Sequence, residues 1–240
     1  MTHWVTLERC FTERLGLTHR PVAIAFADRE PAGVTKFSGS APAGCSFWRL
    51  AASGRVFYTV PADHYNCAVG SYTHNIALPP ERAGELEQTL GLMFSVGYLQ
   101  ADEVPGVSRL PTAPGAIIYA PLGESPVDPG VVLFVCQPAT AMLLNEAAVR
   151  AGAASSLPQL GRPTCMALPA ALANGTVTSL GCVGNRVYTD LGNDELYVVV
   201  HGPRLEQVAD ALDTIVAANQ QLADYARRRR QELSIGQMPE

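Results

Sequence analysis

Two stretches of this chain contain the same parts in the same order, and that feature constrains the fold more than any other. Gly44 to Tyr72 reads GCSFWRLAASGRVFYTVPADHYNCAVGSY, and Thr164 to Tyr188 reads TCMALPAALANGTVTSLGCVGNRVY. Each opens at a cysteine, passes through an alanine-rich helical turn to Gly54 or Gly175, and crosses a short strand. Each then reaches a second cysteine in a glycine-containing turn. The second cysteine follows the first after 22 positions in one unit and 17 in the other, a difference the size of a loop. Repeated supersecondary units bury their apolar faces against each other or around a shared axis. The expected fold is α/β, with α+β as its variant. It has a pseudo-symmetric core made from units 44–72 and 164–188 within a single domain spanning 1–240.

Such packing brings Cys45, Cys67, Cys165 and Cys182 together and leaves Cys10 and Cys136 without repeat counterparts. Four thiols are what a tetrahedral zinc ion or an iron–sulfur cluster takes. Structural zinc commonly draws two ligands from one tight knuckle, with cysteines two to four residues apart. No such pair occurs here, nor do the ferredoxin spacings. One isolated thiolate from each of four loops suits the wider corners of a cubane. A 4Fe-4S iron-sulfur cluster, serving redox or small-molecule Lewis-acid chemistry, is therefore the preferred cofactor, and zinc or a mixed zinc-iron set in a structural or sensor module is the alternative. A third reading is a metal-free small-molecule-binding protein whose cysteines are simply buried. Gly44, Gly70, Gly181 and Gly184 beside these cysteines would let main-chain N–H groups approach cluster sulfurs, or serve as ordinary turn residues. Arg186, four residues after Cys182, is expected to line the opening, where it would offset cluster charge or hold an anionic substrate; its plain alternative is a surface arginine.

Of the 240 residues, 48% are hydrophobic and 16% charged, enough apolar material for a substantial core. A formal charge of -5 and one short terminal basic run, Arg227 to Arg230, offer no field for nucleic acid. No apolar run approaches the roughly 18 residues of a membrane span. The start of the chain, with Glu8 and Glu13 among apolar residues at helical spacing, is unlike a signal peptide. The expectation is a cytoplasmic protein with no membrane or nucleic-acid partner, in a compartment where disulfides seldom persist. Its expected counterpart is a small-molecule substrate or a redox partner; the oligomeric state is not legible. Hydrophobic periodicity predicts helices over 3–16, 46–53, 81–100 and 139–152, and strands over 22–26, 56–60, 116–119, 131–135 and 196–200. The stripe Leu205, Val208, Leu212, Ile215 and Leu222 predicts a long C-terminal amphipathic helix, followed by a loose tail over 231–240.

Other candidates are weaker. His64 and His74 bracket Cys67, so either is a candidate substitute ligand or proton donor, although loop histidines are commonly surface residues. Cys136 ends an apolar strand, where α/β proteins often bind ligands, yet no base is fixed beside it. Phosphate-binding glycine motifs are incomplete, the carboxylates are scattered, and no catalytic residue can be named.

In these motifs the sequence resembles the prokaryotic family called domain of unknown function 169. The likeness runs through Pro21 to Phe26, Gly44 to Gly54, Phe57 to Tyr72, Gln137 to Ala148, Arg162 to Pro169 and Ser179 to Arg186. It implies an α/β protein with a cysteine-lined site for an iron–sulfur cluster, and Cys45, Cys67, Cys165 and Cys182 fall on its matching positions. Cys136 stands outside that pattern. The resemblance implies a cofactor and no particular reaction.

Overall fold

A computed structural model of the chain describes residues 3–153 and 159–233. Helix α1 (His3–Leu15) leads into strand β1 (Val22–Ala27), α2 (Ser46–Ala52), β2 (Phe57–Thr59), α3 (Ala68–Thr73), α4 (Glu85–Ser95) and β3 (Ala116–Pro121). The chain continues through β4 (Val131–Cys136), α5 (Pro138–Arg150), β5 (Gln159–Leu160), α6 (Ala167–Asn174), β6 (Thr176–Ser179), α7 (Val183–Thr189), β7 (Leu196–His201) and α8 (Leu205–Glu232). One sheet has the order β2-β3-β1-β4-β7-β6-β5. Its six main strands pair antiparallel throughout, and the two-residue β5 joins β6 in parallel.

That order is symmetric about the β1–β4 seam. On one side β1 pairs with β3 and β3 with β2; on the other β4 pairs with β7 and β7 with β6. The duplication seen between 44–72 and 164–188 therefore extends further. β1-α2-β2-α3-β3 is repeated as β4-α6-β6-α7-β7, and the halves meet where Val22, Ala23 and Ile24 pair with Leu133, Val132 and Val131. Both halves even finish alike, β3 and β7 each running into a short 3-10 turn, 122–124 and 202–204.

Helices cover both faces of the sheet, so β3 and β4 are buried along their whole length and read as continuous apolar runs rather than as alternating ones. On one face α2 and α6 pack Phe47, Trp48, Ala167 and Leu168 onto Val22, Ile24, Leu133 and Val199. Trp48 of the first half meets Tyr197 of the second edge-on, at 5.3 Å between ring centroids. On the other face α1, α5 and α8 bury Phe11, Leu144 and Leu212 against Val132, Phe134 and Val198. α1 is helical because Leu7, Phe11 and Leu15 recur every fourth residue, and it stops at Gly16, whose φ of +62° a side chain would resist. Each fully buried large side chain contributes about 1.5–3 kcal/mol.

Three sequence expectations need correction. The helix predicted over 81–100 is interrupted: a 3-10 turn occupies 80–82, α4 ends at Ser95, and Gly97 with φ +70° turns the chain into a further 3-10 segment at 101–106. α3 and α7 are helices of six and seven residues where only turns were expected; a stretch that short carries no full hydrophobic period. Of the tail expected over 231–240, residues 231 and 232 belong to α8, and residues 234–240 lie outside the described residues. Among the described residues, no helix is long and apolar enough to cross a membrane.

Candidate four-cysteine site

Cys45, Cys67, Cys165 and Cys182 all line one cavity of about 230 Å³, on the α2/α6 face of the sheet. The duplicated scaffold puts them there. Cys45 immediately precedes α2 and Cys165 lies in the turn that leads into α6; Cys67 and Cys182 are the residues that cap the N-termini of α3 and α7. The two halves interlock around the cavity, α2 packing on α7 and α3 on the 164–166 turn. Across that contact the Cys165 thiol donates weakly to the Val69 carbonyl at 4.0 Å. Within the second half, the Cys182 N–H donates to Thr164 Oγ1 at 2.5 Å, tying the two cysteine loops together.

Local backbone requirements explain two of the flanking glycines. A Cβ on Gly44 would come within 2.9 Å of His64 Nδ1, and Gly181, with φ +80°, would press one against Leu191 at 2.8 Å. Gly70 has a polar role as well: its N–H donates to Cys67 Sγ at 3.3 Å.

The environment favours the neutral form of three of these thiols, Cys45, Cys67 and Cys165. Burial pushes Cys45 up to about 12, with repulsion from Cys67 and Cys182 adding to it and Asn185 opposing it. Burial also raises Cys67, against the Gly70 N–H, and raises Cys165 well above the usual thiol range, with Cys67, Cys182 and Cys45 contributing repulsion. Every pair among the four is thus within electrostatic reach. Without a cation the buried thiols remain protonated near neutral pH; a positively charged group seated among them would favour thiolates. Among the described residues, no three His, Cys, Asp or Glu side chains form a group that could hold a metal ion. The four sulfurs are distributed around the cavity wall rather than drawn to one point.

Most of the remaining wall is apolar surface, with Thr89, Tyr98, Arg162 and Thr164 among its polar residues. Segment 74–115, which links α3 to β3, carries α4 and sets Leu86, Leu90, Met93, Leu99, Val104 and Val107 across the cavity from the cysteines. Asn185, on α7 one turn after Cys182, also lines the cavity. It is 2% exposed, and neither its Nδ2 nor its Oδ1 makes a hydrogen bond of normal geometry, although Cys45 and Tyr197 lie close enough to feel the amide. Sequence reasoning missed both features, because an asparagine in a glycine-rich stretch reads as a turn residue.

Other expected site residues lie elsewhere. Arg186 is not in the cavity wall; its guanidinium donates to the carbonyls of Gly192 at 2.6 Å, Leu180 at 2.5 Å and Glu195 at 3.1 Å, which fixes the short α7–β7 link. That correction has a simple cause: a planar five-donor group beside a turn finds main-chain acceptors first. His64 and His74 are buried behind the wall, stacked at 5.8 Å, with His64 Nε2 2.8 Å from Thr59 Oγ1 and His74 Nδ1 2.9 Å from the Gly70 carbonyl. Cys136 faces the opposite core, where burial alone pushes it up to about 12, and Cys10 packs beside that same core.

A family model, DUF169, described as an uncharacterised ArCR, matches residues 11–211. The chain belongs to this family. The DUF169 match spans both halves and all four cavity cysteines, ending within α8. No curated protein and no solved structure matches the chain.

Proposed function

We propose that this DUF169 chain is a cytoplasmic iron–sulfur protein that holds a 4Fe-4S cluster through Cys45, Cys67, Cys165 and Cys182. The observation that carries the reading is the meeting of four thiols, from four separate loops of two duplicated halves, on the wall of one apolar cavity. The donor set fits the group. Soft thiolates select iron–sulfur clusters, zinc and cuprous ions. A single tetrahedral zinc ion needs its sulfurs at about 2.3 Å from one centre, whereas a cluster offers each thiolate its own iron. The buried, partnerless amide of Asn185 supplies a hydrogen-bonding group that the cavity otherwise leaves unused.

When bound, such a cluster supplies one-electron transfer, or a Lewis acid if one iron keeps an open position. The chain's own residues orient and shield it. Gly70 N–H donates to Cys67, Thr164 fixes the Cys182 loop, and Leu86, Leu90 and Met93 of α4 present apolar surface to the cavity. The test is anaerobic purification followed by iron, acid-labile sulfide and zinc assays. The reading expects brown protein with about four irons and four sulfides per chain. Zinc without sulfide, or folded protein free of both metals, would overturn it.

A further inference from the structure

We propose that Asn185 is a positioning residue of this site, donating its side-chain N–H to the sulfur of Cys45 across the boundary between the two halves. The inference rests on the four-thiolate reading and adds a residue to it. Asn185 is the third residue of α7, counted from its cap Cys182, and the matching residue after Cys67 is Gly70. In the first half that position already serves a sulfur: the Gly70 N–H reaches Cys67 at 3.3 Å. In the second half Cys182 receives no such bond, and the position carries instead a carboxamide that is almost wholly buried, lines the cavity and has both polar atoms unpartnered.

Leaving an amide without a well-made hydrogen bond in an apolar interior costs roughly 1–3 kcal/mol, so this buried Asn calls for a bond that the bound state completes with a neighbour. Cys45 and the Tyr197 hydroxyl are its polar neighbours. The two fit opposite ends of the carboxamide: an N–H can donate to a thiolate, and Oδ1 can accept from the tyrosine. A neutral thiol is a weak acceptor, while a thiolate on iron is a good one. Hydrogen bonds to cluster sulfurs stabilise the more negative, reduced state and raise the reduction potential.

The test compares holoprotein of wild type, Asn185→Leu and Asn185→Gln by iron content, sulfide content and reduction potential. Removing the donor in Asn185→Leu should shift the potential to a more negative value with iron and sulfide retained, and Asn185→Gln should restore most of the shift. An unchanged potential in a fully loaded Asn185→Leu protein would overturn the inference alone. If that variant fails to load, the wild type decides. Asparagine labelled with 15N only in its side-chain amide should give a hyperfine coupling to the reduced cluster, and its absence would overturn the assignment. Wild-type protein lacking iron and sulfide would instead overturn the four-thiolate reading together with this inference.

Discussion

The two halves share a scaffold and differ in how each finishes its part of the cavity. Each half places one cysteine at the entry to a core helix and a second at the cap of a short helix. The first half then runs through a long insertion, residues 74–115, whose α4 roofs the site with leucine and methionine. The second half makes the equivalent connection in residues 190–195, clamped by Arg186 onto three carbonyls. At the third position after the capping cysteine, the first half has Gly70 and a main-chain donor; the second has Asn185 and an unused amide. Duplication thus supplies the thiols in equivalent pairs, and divergence supplies the surroundings, an apolar roof from the first half and a buried amide from the second.

If the thiols are equivalent, serine at Cys45, Cys67, Cys165 or Cys182 should each reduce bound iron and sulfide to background, because a hard alkoxide is a poor substitute for thiolate. Serine at Cys10 or Cys136 should leave the content intact. Loss confined to the cysteines of one half would break the equivalence. The next largest effect concerns the seam. Trp48 is 2% exposed and its ring meets Tyr197 of the other half, so Trp48→Ala should lower unfolding free energy by about 3–5 kcal/mol in urea titrations. A two-step transition in the wild type would show that the halves unfold separately.

Histidine provides a third contrast, since the buried pair His64 and His74 belongs to the first half only. Burial, helped by repulsion from His74, lowers His64 to about 3, and burial lowers His74 to about 4 against the pull of the Gly70 carbonyl. Both stay neutral in the folded chain while the unfolded chain takes up protons below about 6.5. Stability contributed this way is complete above that pH and is lost as pH falls towards 4. Each histidine should add a slope of up to about 1.4 kcal/mol per pH unit to chemical denaturation curves measured between pH 7 and 4.5. A flat profile would mean that the pair is hydrated in the folded chain. The smallest effect belongs to the roof: Leu90, half-buried in the insertion, should cost only about 1 kcal/mol when cut to Ala. It should leave iron content unchanged while speeding cluster loss in air. Loss of iron from Leu90→Ala under anaerobic conditions would make the roof part of the binding set itself.

The repeat was legible because cysteine, helix, glycine, strand and cysteine recur in order, and cysteine is rare enough to mark equivalent positions. Its full extent was not. β1 and β4, or β3 and β7, are apolar runs buried on both faces, and such runs resemble each other in unrelated proteins. α8 was visible from the spacing of Leu205, Val208, Leu212 and Ile215, all now buried against the second core. Arg186 was misjudged and Asn185 overlooked for one reason: whether a polar side chain is already satisfied depends on carbonyls brought near by folding, which no local pattern records.

The central claim is that four thiolates, two from each half, share one iron–sulfur cluster. Its most direct test is a crystal grown without oxygen and measured on both sides of the iron absorption edge. Anomalous iron density enclosed by the sulfurs of Cys45, Cys67, Cys165 and Cys182, one sulfur bonded at each corner, is the predicted result. Four unbonded thiols in a cavity without iron density, in protein shown to carry iron before crystallisation, would contradict it.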